Sequence, residues 1–162
     1  MKPVGHIAVA SAVGLGVAAA TQSPWAVVTA LGSGVLVDAD HAIDYYRWFV
    51  LRKRERVFYL LHAWEYLPLL VLASAISGWN PLLLGATAGY LSHLVADQWA
   101  NKAYTFTYSI IYRAAHGFNM QKVSPWRIDG SYENLVELVE GFHLGNRLSP
   151  RIARFLSRRL RV

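Results

Sequence analysis

The stretch LVDADHAIDYY, residues 36–46, puts Asp38, Asp40 and His41 within four positions and Asp44 one turn further on. It closes a run from Pro3 to Val37 that holds no Asp, Glu, Lys or Arg. The chain has no Cys, so disulfides and thiolate metal sites are excluded. Any transition-metal site must then use imidazole and carboxylate donors. Two further pairs have the spacing for this: His62 with Glu65 at i, i+3, and His93 with Asp97 at i, i+4. Asp38 and His41 are also i, i+3 if their helix continues. Such pairs share a helix face, the device by which bundles aim carboxylates and imidazoles inward.

With His6 near the start, the expected ligand set is His6, Asp38, Asp40, His41, His62, Glu65, His93 and Asp97. Eight donors exceed the four that one zinc needs. Two divalent ions sharing a bridging carboxylate would use them better, a geometry suited to hydrolysis. Zinc is the first expectation, with manganese or iron as alternatives. Glu65 is expected as a ligand or as the general base that activates a metal-bound water. Asp44 is expected as an outer partner or as a mate for nearby arginines. His116 and His143 read as ordinary surface histidines. The plainer account of the whole cluster is a satisfied polar network, or capping at helix ends.

The elements that must position these groups are unusually apolar. Hydrophobic residues make up 54% of the 162 and charged residues 16%, against about 25% charged in soluble domains. The length fits one domain. Four apolar segments are expected as helices: Val4–Ala20, Pro24–Val37 with Ser23 as N-cap, Val57–Ser77, and Pro81–Ala96 with Asn80 as cap. Pro68 should kink the third. Gly32, Gly34, Gly85 and Gly89 are small residues suited to close helix packing. The connectors TQSP and SGWNP are short and uncharged, whereas the central connector holds Arg47, Arg52, Lys53, Arg54 and Arg56.

The expected fold is therefore all-α: an integral membrane helical bundle of four apolar helices in two hairpins, plus C-terminal amphipathic helices. Residues 1–104 form the bundle and 105–162 an extension. The basic connector marks the cytoplasmic side by the positive-inside rule. The expected location is the inner membrane, multi-pass, with the cluster at its cytoplasmic face. The first segment resembles a secretory signal in part, but a matching second segment follows at once, so it is expected as a retained helix.

In the extension, the state of Thr105–Tyr112 is open, His116–Ser131 reads as a loop, and Tyr132–His143 as a helix. A last helix opens at Ser149-Pro150. Six arginines between Arg147 and Arg161, with no acid, suit anionic lipid headgroups. No nucleic-acid recognition motif is present.

At these residues the chain resembles the predicted membrane-bound metal-dependent hydrolases, a family with LexA-regulated inner-membrane members. VDADH is similar to their PDxDH signature, and GYLSHLVAD to their segment carrying the equivalents of His93 and Asp97. His6 matches a histidine near the start of their first helix. The resemblance covers residues 1 to 100. Where that family commonly has HRGxTHS, this chain reads HAWEYLP, so His62 carries over and the second histidine does not. The resemblance implies a metal-dependent hydrolase of a lipid or phosphoester. The alternative is a non-catalytic bundle that binds metal or carries a metal or proton pathway.

Overall fold

A computed structural model describes residues 3–53, 55–101, 104 and 106–123. The regular elements among them are helical, with one isolated bridge between Arg56 and Asn119. Helix α1 spans Pro3–Thr21 and α2 spans Trp25–Leu36. A tight 3₁₀ turn at Val37–Asp40 leads into α3, His41–Tyr45, and then a wide π turn at Tyr46–Val50. Together α2 and α3 make one apolar rod, Trp25–Trp48. Then come α4, Tyr66–Ile76; α5, Pro81–Ala100; α6, Ile110–Ala115; and α7, Met120–Val123. The expected helix at 132–143 and the basic face from Arg147 to Arg161 lie outside the described residues.

Helices α1, α2 and α5 pack mutually, and α4 packs on α5. Small residues at four-residue spacing make the junction. His6, Ala10 and Gly14 are buried on α1, and Ala26, Ala30 and Gly34 on α2. Gly85, Gly89, His93 and Asp97 are buried on α5. The approach is close: a Cβ on Gly34 would lie 2.7 Å from the Ala10 Cβ, and one on Gly89 would run into the Ala30 carbonyl and the Ser33 hydroxyl. The Ser33 hydroxyl also donates to the Ala86 carbonyl across the α2–α5 contact, at 2.7 Å.

Three boundaries differ from expectation. Ser23 does not cap α2 by its side chain; its carbonyl accepts from the Ala26 amide instead. Helix α5 runs four residues past Ala96, which extends the same face through Asp97. The third apolar segment is not one helix. Residues 57–65 are irregular, and α4 begins only at Tyr66. Pro68 explains this start. It has no N–H to give, so it is best tolerated in a first turn, where that N–H has no partner anyway. Pro68 marks a helix beginning here, not a kink. Helix α4 is then 11 residues, about 17 Å, and two helices, α1 and the α2–α3 rod, are long and apolar enough to cross a membrane.

The central connector is held by the segment that follows α5. Val57 donates to the Phe118 carbonyl and Met120 to that of Glu55, both at 2.9 Å. Trp48, Val57, Tyr59, Met120 and Val123 share a small apolar core. Residues 106–123 thus act as a brace on the connector that carries His62.

Candidate metal centre

Three helices and the connector deliver one residue set to the same end of the bundle. His6 comes from the start of α1, Asp38 from the 3₁₀ turn, His93 and Asp97 from α5, and His62 from the connector. The Nε2 atoms of His62 and His93 are 2.9 Å apart. Asp38 Oδ1 lies 3.4 Å from the first and 3.6 Å from the second. Asp97 Oδ2 lies 3.5 and 3.7 Å from them. Metal–donor bonds of 2.0–2.2 Å put neighbouring donors roughly 3–3.5 Å apart, so these separations suit one coordination sphere.

The proton positions sharpen the case. His93 Nδ1 faces the Gly34 carbonyl at 2.8 Å, so it must donate there. His62 Nδ1 faces the Asp40 carboxylate at 3.1 Å and donates in turn. Both Nε2 atoms of the neutral rings therefore carry lone pairs, pointing at each other. Two lone pairs this close need a proton or a cation beside them. Around His62, burial opposes a charge, but the carboxylates of Asp38, Asp40 and Asp97 raise its pKa to about 10. The same negative field attracts a divalent ion.

His6 stacks on His93, ring centroids 4.0 Å apart. Its Nε2 is 3.1 Å from Asp97 Oδ1 without the alignment of a hydrogen bond, and neither ring nitrogen has a hydrogen-bond partner among the described residues. Buried polar atoms are normally paired, so His6 has donor capacity to spare. His6, Asp38, His93 and Asp97 form one group able to hold an ion, and Asp38, His41 and His62 a second. Asp38 belongs to both.

Two expected ligands are corrected. Asp40 stands behind the donors. It accepts from the Leu61 amide at 2.6 Å and faces His41 Nδ1 at 2.9 Å and His62 Nδ1 at 3.1 Å. It thereby sets the tautomer and angle of His62, as carboxylates behind metal-bound histidines do. Glu65 is turned away altogether. It sits outside any helix with His62, so the i, i+3 face does not exist. Its carboxylate accepts from the Ser109 hydroxyl and from the amides of Ile110 and Ile111. Partial burial pushes its pKa up, but these donors win and hold it below the usual range. Glu65 anchors α6 and is no base for a water at the centre.

Several supporting groups were not singled out by their types. Asp44 is fully buried and accepts from the Phe58 and Tyr59 amides at 3.0 Å. Tyr59 has φ of 42°, a strained state for an aromatic residue, and its ring stacks on His41 at 4.7 Å. The Tyr90 hydroxyl lies 2.8 and 2.7 Å from the Leu61 and Ala63 carbonyls and accepts from the Ala63 amide. These contacts bracket His62 on both sides. Of these only Asp44 is among the sequence expectations, as an outer partner or as a mate for nearby arginines; it bonds to the connector amides. Tyr90 gave no signal beyond its place in GYLSH. His116 bonds locally to the Tyr112 carbonyl, away from the centre; His143 lies outside the described residues.

No family model, curated protein or solved structure matches the chain. The family resemblance therefore stays with the motif residues that carry it.

Proposed function

We propose that this protein is a membrane-embedded, metal-dependent hydrolase whose centre lies at the cytoplasmic interface and acts on a lipid or phosphoester. One observation carries the proposal: three histidines and two aspartates from separate elements converge, with the Nε2 atoms of His62 and His93 at 2.9 Å. His6, Asp38, His93 and Asp97 would hold one ion, and Asp38, His41 and His62 would hold a second. Zinc suits this donor set, and manganese or iron would also fit. A bound divalent ion supplies Lewis acidity and lowers the pKa of water. The chain's own residues do the rest. Asp40 and the Gly34 carbonyl keep two imidazoles in one tautomer, and the packed helices exclude bulk water from all but the Asp38 edge.

The membrane setting has three supports. Helix α1 and the α2–α3 rod have the length and hydropathy to span. Large apolar side chains are exposed on every long helix, among them Val4 at 75%, Leu36 at 66% and Ile76 at 78%. Such surfaces are rare on soluble monomers. Exposed aromatics mark both ends: Trp25 and Trp79 at the far turns, Tyr46 and Trp99 at the centre's end, as at two membrane interfaces. The basic connector lies at the centre's end, which supports a cytoplasmic reading of that end by the positive-inside rule.

Metal content of the detergent-purified chain tests the proposal. One or two zinc, manganese or iron ions per chain are expected, lost in folded Asp38→Ala and, for the first ion, in His93→Ala, with phosphoester or lipid-ester turnover that follows the metal. No metal after reconstitution would sink it. Metal without turnover would favour the non-catalytic bundle.

A further inference from the structure

The two donor groups of the centre stand in different surroundings. In the first, the side chains of His6, His93 and Asp97 are at most 4% exposed. His6 stacks on His93, ring centroids 4.0 Å apart, and His93 Nδ1 is tied to the Gly34 carbonyl at 2.8 Å. These three residues belong to α1 and α5. Both helices are pressed against α2, where a Cβ added to Gly34 or Gly89 would collide with Ala10 or Ala30. An ion among these donors could leave freely only if packed helices part.

The second group is built on softer elements. Asp38 lies in the 3₁₀ turn and is 32% exposed, and His41 opens the short α3 and is 19% exposed. His62 is buried, but on the irregular connector. That connector is held by hydrogen bonds from Asp40 and Tyr90 to its backbone. Segments with few packed apolar contacts open locally at lower cost than close-packed helices. The groups also differ in number, with four donors in the first and three in the second. Structural zinc sites close around the ion with four protein ligands, whereas catalytic sites use three and keep a position open.

We propose that the two groups hold ions of different standing. His6, Asp38, His93 and Asp97 hold a closed, structural ion that exchanges slowly. Asp38, His41 and His62 hold an open, exchangeable ion, and the substrate meets the centre on that side. The inference rests on the proposed metal centre and deepens it by assigning the reacting position to the His41 edge.

Release of radiolabelled zinc from the detergent-purified full chain into excess unlabelled zinc tests it. The wild type should release its zinc in two phases of equal amplitude, with rates at least about tenfold apart, because one opening is local and the other parts helices. His41→Ala should lose the fast phase and keep the slow one, with phosphoester or lipid-ester turnover abolished at unchanged helix content. His6→Ala should lose the slow phase. If either variant fails to fold, release from the wild type still decides, since a single phase would overturn the inference. So would one zinc per chain lost alike in His41→Ala and His6→Ala, because all the donors would then serve one ion. Turnover that survives in His41→Ala would overturn the assignment of the reacting position. A wild type that binds no zinc would remove the centre itself, and this inference with it.

Discussion

The two halves of the candidate centre are held by different physics. His6, Asp38, His93 and Asp97 sit on the α1–α2–α5 junction, where buried small residues repeat every four positions. There the backbones approach so closely that His93 reaches a main-chain carbonyl of the neighbouring helix. His62 sits on an irregular connector with almost no periodic packing. It is held by side chains bonded to backbone: Asp40 to Leu61, Asp44 to Phe58 and Tyr59, Tyr90 to Leu61 and Ala63, and Glu65 to the start of α6. The first half is positioned by exclusion of volume and the second by hydrogen bonds. Steric errors should therefore be severe in one half, and polar errors graded in the other.

Gly89→Val is the harshest test of the junction. Its side chain has no room against Ala30 and Ser33, and overpacking of this kind costs about 3 kcal/mol or more. Loss of metal and of cooperative thermal unfolding are expected together; a variant that keeps both would show that the junction yields. His62→Ala should instead abolish binding of the second ion while helix content by circular dichroism stays near that of the wild type. Parallel loss of helix would erase the distinction between the two halves.

Asp44→Asn probes the connector more gently. It weakens the hold on the Phe58 and Tyr59 amides two steps behind the candidate ligands, where changes typically cost 10–100-fold in metal affinity. Zinc competition titration reads this, and unaltered affinity would mean that Asp40 and Tyr90 suffice.

Glu65→Gln should cost about 1 kcal/mol at neutral pH, the scale of a lost helix cap. Because the native carboxyl is held below its ordinary range, its contribution is fully present above that range and is lost as pH falls through the native value. Denaturation curves of the wild type and Glu65→Gln should thus converge on acidification. Metal binding should stay within about twofold, since Glu65 faces α6; a larger loss would return it to the centre.

The smallest effect is expected at Gly32. A Cβ there meets nothing within 4 Å. Gly32→Ala should therefore stabilise α2 by roughly 0.5–1 kcal/mol through helix propensity alone, on the same helix where Gly34 has no room for one. A rise in Tm of a few degrees checks it.

The helical class, the Asn80 cap with Pro81, the four-residue spacing of His93 and Asp97 on α5 and the end of the chain's apolar runs where the donors gather were all legible in the sequence. They depend on contacts between residues one to four positions apart, which periodicity records directly. Helix α4 and Glu65 were misread because an apolar run does not distinguish a helix from a buried connector, and Pro68 is compatible with either a kink or a start. The separation of Asp40 from Asp38 could not be read from spacing at all. Both lie in one 3₁₀ turn, and which carboxylate meets the other ligands depends on where His62 arrives, 22 residues on from Asp40. Sequence alone determined which residues could serve as donors and on which helix faces most of them lie. Only the tertiary structure decided which donors converge, because convergence depends on how closely small residues let three helices approach and on hydrogen bonds between distant parts of the chain.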